Sequence, residues 1–467
     1  MTRLQLDDTI AAIGTAAGEG AIGMVRLSGP ESLAIGRRVF RRPGRDSAAW
    51  RSHRLYYGHV VDPQSGRAVD EAMLVYMRAP RTYTRQDVLE ITGHGGGASV
   101  REILRLVVTA GARPAERGEI TLRAFLSGRI DLAQAEAVLD AVRARTAGAL
   151  SLAAGQLAGG LSRSVAAVRQ RLIADLAHLE ATIDFAEDDV PPLSPERLRA
   201  SLQGATEGLA RLLDTARAGQ VHRDGVRVAI VGRPNAGKSS LLNALLQQER
   251  AIVTPVPGTT RDVIEETLDL QGVPAVLLDT AGIVETKDVV ERLGVARSRE
   301  AVAGADVIVL VIDGSQPLRD EDAAVAALIR QRPEPGQAVV VVSKADLPAV
   351  VDDATAGALL PGAALARVSS TSREGLGALR EAVRRVAVGG TALAHHEVVV
   401  SSARHREALE RSSAALEDAQ KALDAGRPAD CLCTDLRAAI DALGQITGES
   451  VTGDILSQIF SRFCIGK

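Results

Sequence analysis

The residues best placed to do chemistry are Gly232-Arg233-Pro234-Asn235-Ala236-Gly237-Lys238-Ser239, between the apolar run VRVAIV and the helix-like SLLNALL. The run fits G-x-x-x-x-G-K-[ST] in strand-loop-helix context, where glycines let backbone amides wrap phosphates and a helix N-terminus adds its dipole. Asn235, Ala236, Gly237, Lys238, Ser239 and Ser240 are therefore the expected phosphate contacts, with Lys238 on the β- and γ-phosphates and the Ser239 hydroxyl on Mg2+. Asp279-Thr280-Ala281-Gly282 closes the run AVLL and suits a carboxylate near Mg2+ with a glycine amide aimed at the γ-phosphate. Asp346, in Ser343-Lys344-Ala345-Asp346, can accept hydrogen bonds from guanine N1 and N2, a pattern adenine cannot match, while Lys344 lies along the base. Ser369-Ser370-Thr371 supplies a last base-contacting loop. GTP is the expected ligand.

Elements must position these groups. VIVLVID and AVVVVS read as buried parallel strands by their β-branched content, and Gly232 to Thr371 spans about 140 residues, enough for one doubly wound domain. Upstream, β-like runs at Ile22 to Leu27, Met73 to Met77 and Val88 to Thr92 and a helix-like Ser99 to Ala110 suggest a small α/β domain. Helical spacing dominates from about 130 to 219 and returns after about 400. The expected fold class is multidomain α/β plus α. It comprises an N-terminal α/β domain (1–125), a helical domain in two parts (126–222 and 389–467) and an inserted Ras-like P-loop domain (223–388).

Composition narrows the classes. The 467 residues carry 55 Lys plus Arg against 58 Asp plus Glu, a net −3 that argues against coating nucleic acid by bulk charge. No apolar run approaches the roughly 20 residues a membrane span needs, and the first residues lack a signal core. Three cysteines make no disulfide framework, so a reducing cytoplasm is the expected compartment. Only five of the basic residues are lysines, and Lys238, Lys344 and Lys467 are three of them.

Two patterns read as decoys. Gly18-Glu19-Gly20-Ala21-Ile22-Gly23 matches the dinucleotide fingerprint but leads into a strand-like run, and Cys431-x-Cys433 lies in a helical stretch without a partner pair for zinc. Cys464 could be nucleophilic, and a small buried residue explains it about as well.

SKAD is similar to the guanine motif N/T-K-x-D of GTPases. Ser343 replaces the usual Asn, so the amide bridging base and phosphate loop is expected to be missing. Many GTPases place Gln directly after DxxG to orient the attacking water. Ile283 stands there instead, and Glu291 is the nearest candidate for that role. The loop VTPVPGTTRD at 253–262 has the look of a switch loop, with Thr260 as an Mg2+ ligand.

GRPNAGKSSLLNAL, PGTTRD, DTAGI, GHGG at 93–96, DLAQAEAV at 131–138 and the terminal FCIGK together resemble the MnmE (TrmE) family of tRNA-modification GTPases along essentially the whole chain. The resemblance implies a homodimer working with MnmG, an FAD protein, in a heterotetramer. That assembly installs an aminomethyl-type group on C5 of the wobble uridine of certain tRNAs, using a one-carbon unit from a 5-formyltetrahydrofolate-like cofactor. By position it implies K+ held by Asn235, Thr254, Val256 and Thr259, with Thr254 and Thr259 also at GTP, Mg2+ held by Ser239 and Thr260, and water oriented by Glu291. The folate site it implies is Arg26, Glu90, Arg129 and Lys467, with Cys464 as a catalytic candidate. A ribosome-assembly GTPase shares the phosphate-loop and switch sequences, but no GXXG-centred KH pattern follows here.

Overall fold

The computed structural model describes residues 7–44, 49–184, 193–248, 267–278, 302–332, 337–389 and 398–466. The chain forms two compact units: among these residues, one takes 7–139 with 447–466, the other 140–446.

The first unit is built on a seven-stranded sheet. Its strands are β1 (Ile10–Ile13), β2 (Gly20–Ser28), β3 (Phe40–Arg41), β4 (Arg54–Val61), β5 (Ala68–Met77), β6 (Val88–Gly95) and β7 (Arg113–Pro114), in the order β3-β4-β5-β6-β2-β1-β7. Only β1 and β7 run parallel. Val25 and Leu27 of β2, Leu74 of β5 and Leu89 and Ile91 of β6 point to one face, where they share a core with Ile35 and Ile103 of the helices Ser32–Val39 and Gly97–Thr109. Residues one step out of phase point the other way: Ile22, Leu55, Tyr57 and Met73 are exposed there. An antiparallel sheet can leave one face open, but such a face is usually polar, so these apolar groups are notable. The fingerprint-like glycines at 18–23 run into β2, so a helix does not follow them.

Residues 447–466 complete this unit. Ile459, Phe460 and Phe463 join Leu122, Ile130, Leu132 and Leu139 in one cluster, and the Phe460 and Phe463 ring centroids lie 5.4 Å apart. Ile465 bridges to Arg117, and Gly466 lies so close to β1 that a Cβ there would come 2.1 Å from the Ile13 carbonyl oxygen.

A buried ion network ties the start of β1 to the helix Glu119–Leu126. The Arg123 guanidinium, 2% exposed, donates to Asp8 Oδ1 at 2.5 Å and to Glu119 Oε1 at 3.0 Å, and Arg113 donates to the same two carboxylates at 2.6 Å each. Burial pushes both carboxyls up, but the two arginines outweigh it and hold them below their usual range. Their stabilisation is therefore complete above the ordinary carboxylate range and is lost as pH falls through the lowered values.

The second unit carries a six-stranded sheet of β8 (Val226–Val231), β9 (Thr267–Leu270), β10 (Val273–Leu278), β11 (Val307–Asp313), β12 (Ala338–Ser343) and β13 (Ala364–Arg367), ordered β13-β12-β11-β8-β10-β9. All neighbours are parallel except β9 and β10. Val307, Val309 and Val311 face one core and Ile308, Leu310 and Ile312 the other, so every residue of β11 is buried. Helices on both faces explain the uninterrupted apolar runs. The helical stretches before and after this sheet pack together: Pro195–Leu213 contacts Ala403–Asp424, and Arg437 pairs with Glu180 at 2.6 Å.

Replacing Arg123 with Leu leaves Asp8 and Glu119 paired through Arg113 but removes the buried guanidinium between them, and should cost about 1.5–3 kcal/mol. Fluorescence of Trp50, the chain's single tryptophan, reports the unfolding of this unit in urea. The wild-type midpoint should itself fall below about pH 4.

Candidate nucleotide-binding site

The parallel strands β8, β11 and β12 end at Val231, Asp313 and Ser343, and the functional groups follow these ends, where open α/β sheets bind ligands. After β8 the backbone turns at Gly232, with φ 153°, where a Cβ would come 2.2 Å from the Val311 carbonyl oxygen. It then passes through left-handed Asn235 (φ 61°) and Gly237 (φ 99°) into the helix Lys238–Gln248. Left-handed turns opening onto a helix N-terminus make an anion-binding concavity.

Within that loop Lys238 Nζ donates to the carbonyls of Gly232 at 2.9 Å and Arg233 at 2.8 Å. Burial and the neighbouring Arg233 charge lower its pKa. A phosphate placed here would exchange these two neutral acceptors for charged ones, which form stronger hydrogen bonds.

Arg233 anchors the loop from beneath. Its guanidinium, in a residue only 6% exposed, lies 3.2 Å from Asp322 and 3.7 Å from Asp313 and donates to Gln316 at 3.3 Å. Asp313 in turn accepts from Lys344 Nζ at 2.7 Å and from Ser315 Oγ at 2.6 Å. Burial pushes its carboxyl up, but these donors hold it below the usual range. Asp346 accepts from Ser369 Oγ at 2.6 Å, so the SKAD loop and the loop carrying Ser370 and Thr371 are joined.

The Ser343 hydroxyl donates to the Ala236 carbonyl at 2.5 Å and so joins the end of β12 to the phosphate loop.

The structure thus brings together Asn235 through Ser240, Lys344, Asp346 and Ser369 through Thr371 at one sheet edge. Thr254, Val256, Thr259, Thr260, Asp279, Thr280, Ala281, Gly282, Glu291 and Lys467 lie outside the described residues.

In the first unit Arg26 Nε donates to Glu90 Oε1 at 2.7 Å across the β2–β6 register. Arg129 is exposed on the turn after Glu119–Leu126. Burial raises the Tyr83 pKa against the opposing hydrogen bond with Thr121 at 3.2 Å and the positive charges of Arg26 and Arg129. Cys464 is exposed, and its carbonyl accepts from Gly118 N at 3.4 Å. Cys433 is buried, and among the described residues no cluster of His, Cys, Asp or Glu could hold a metal. In the GHGG run His94 Nδ1 sits 2.6 Å from Asp70 Oδ1, and the same carboxylate accepts from Ser99 Oγ. The roles of Tyr83 and Asp313, and the anchoring role of Arg233, carry no sequence signal, because each acts through partners distant in the chain.

A phosphate loop, an aspartate-bearing base loop and a parallel sheet between them define a P-loop guanine-nucleotide-binding protein. Residues 132–464 match the family model for the MnmE helical domain, and residues 9–129 match that for the GTP-binding protein TrmE N-terminus. The chain is 47% identical over 462 residues to the tRNA modification GTPase MnmE of Geobacillus kaustophilus, covering 98% of this chain and 99% of that one. It is 49% identical to the same-named protein of Heliobacterium modesticaldum (98% and 99% covered) and 48% to that of Geobacter metallireducens (99% and 100%). The chain belongs to the MnmE family.

Two substitutions test the base side. Asp346→Asn should weaken GTP roughly tenfold or more and let xanthosine triphosphate compete in a fluorescent-nucleotide titration, because the amide donates where xanthine offers a carbonyl. Ser343→Ala strips the buried Ala236 carbonyl of its donor and should weaken GTP by up to about tenfold in the same titration.

Proposed function

We propose that the chain is a GTP hydrolase acting in tRNA modification, and that it works on C5 of the wobble uridine together with MnmG, the FAD protein, in a heterotetramer. The observation that carries the reading is the meeting, at one sheet edge, of a phosphate loop with an aspartate fitted to guanine. Family membership supplies the tRNA. Mg2+ would be held by Ser239 and Thr260, and K+ by Asn235, Thr254, Val256 and Thr259. What supports the potassium assignment is the position of Asn235 in the phosphate loop, together with Ile283 where a catalytic glutamine would stand. Glu291 is assigned to orient the water.

The four-part division proposed from sequence carries the roles. The N-terminal part (1–125) binds the tetrahydrofolate derivative and dimerises, the G domain (223–388) turns over GTP, and the helical parts (126–222, 389–467) link them. Arg26, Glu90, Arg129 and Lys467 are the proposed folate contacts and Cys464 the proposed nucleophile. Packing of 447–466 into the unit that holds Arg26 and Glu90 supports this grouping. The apolar face bearing Ile22, Leu55, Tyr57 and Met73 supports a homodimer. A cytoplasmic location fits this work, and no described helix is long and apolar enough to cross a membrane.

Hydrolysis should run about tenfold faster or more in potassium than in sodium chloride, and Asn235→Ala should abolish most of the difference. Equal turnover in the two salts rejects the ion. Glu291→Ala should lower kcat while GTP affinity holds. Normal wobble uridines in bulk tRNA from a strain lacking the protein would overturn the modification reading itself.

A further inference from the structure

A feature of the second unit without an assigned role is a cleft of about 610 Å3 at the end of the six-stranded sheet opposite the nucleotide site. It is lined where β8 and β11 begin, at Val226 and Val307. Five arginines line it: Arg143 and Arg145 beside the end of the helix Leu132–Arg143, Arg217 and Arg223 on the helix Ala216–Asp224, and Arg227 on β8. Two aspartates accompany them, and each is adjacent to one of these arginines. Asp306 accepts from the Arg227 amide at 2.7 Å, and Asp224 lies 4.0 Å from Arg223.

In a chain of net charge −3, such a local excess of guanidinium groups raises the local concentration of anions. Not all of this charge is spent on internal pairing. Arg223 is committed to Asp140 at 2.9 Å and Arg145 reaches Thr267 at 3.0 Å with one nitrogen, but Arg217 and Arg227 are exposed on two different walls. Guanidinium groups presented from separate elements suit a ligand that repeats its negative charge along its length. No aromatic residue lines the cleft, so it offers no stacking platform for bases. It is suited to the sugar-phosphate backbone, which fixes position without reading sequence.

We infer that this cleft holds a stretch of RNA phosphodiester backbone and is a tRNA-docking site on the face of the G-type sheet away from GTP. The inference rests on the tRNA reading above. Docking here touches the helical layer and the sheet at once, because Thr146 Oγ1, one residue beyond Arg145, donates to the Gly272 carbonyl in the β9–β10 turn at 2.8 Å.

The test uses the full-length protein and an unmodified tRNA transcript, with affinity measured across a potassium chloride series. Arg217→Ala with Arg227→Ala should weaken binding roughly fivefold to tenfold and reduce the slope of log K against log salt by about 1.5 to 2. An unrelated stem-loop RNA of equal length should lose affinity by the same factor, while GTP affinity stays at the wild-type value. Arg217→Lys with Arg227→Lys should recover most of the slope, since a phosphate contact needs mainly charge. An unchanged slope in the alanine protein, with GTP affinity intact, overturns the inference. So does unchanged RNA affinity accompanied by weaker binding of the flavoprotein, which would assign the cleft to a protein partner. The modification reading fails separately, through normal wobble uridines in the deletion strain, and that result leaves the binding measurement standing.

Discussion

A charged group buried in a loop must be met by opposite charge, and Arg233 imposes that requirement on the nucleotide site. Its guanidinium sits between Asp313 and Asp322, and Asp313 also receives Lys344. One carboxylate at the end of β11 therefore ties the phosphate loop to the base loop. Leaving such a buried charge without its partner costs about 3–5 kcal/mol, against a total stability of roughly 5–15 kcal/mol for a domain. The left-handed backbone at Asn235 is unfavourable in isolation, and it is held by these contacts and by the Ser343 hydroxyl, whereas Gly237 takes a positive φ without cost.

The strands β11 and β12 are legible in sequence because helices cover both faces, so each reads as an unbroken β-branched run. The phosphate loop is legible because its glycines and lysine recur at fixed spacing. Strand order is not, since pairing β8 with β11 and β10 depends on contacts far apart in the chain. The contact of Ser343 with the phosphate loop is hidden for a related reason: a residue type compared with a motif says what is absent, and only geometry shows that this hydroxyl reaches the Ala236 carbonyl. Tyr83 is invisible for want of a pattern, because its phenol meets Thr121 and feels the charges of Arg26 and Arg129 only once the chain is folded.

The parallel sheet has chemically unlike edges. At one, strand ends and a helix N-terminus present left-handed turns and a lysine; at the other, strand beginnings meet arginines from a neighbouring helical layer. Both favour anions, but the first does so with backbone geometry that accepts few sequences and the second with side chains that many sequences could supply. The first is thus recognisable as a motif, whereas the second emerges only once the chain is folded.

The packing of residues 447–466 against 118–139 has a consequence for synthesis. During translation the first unit lacks part of its own core until roughly 300 further residues have been made. At about 5–20 residues per second that delay is on the order of 15–60 s. Throughout it Phe460 and Phe463 are not yet there to cover Leu122, Ile130 and Leu132. The sheet core of residues 11–112 can close early, and only the cluster around Leu122 and Leu132 must wait for the end of the chain.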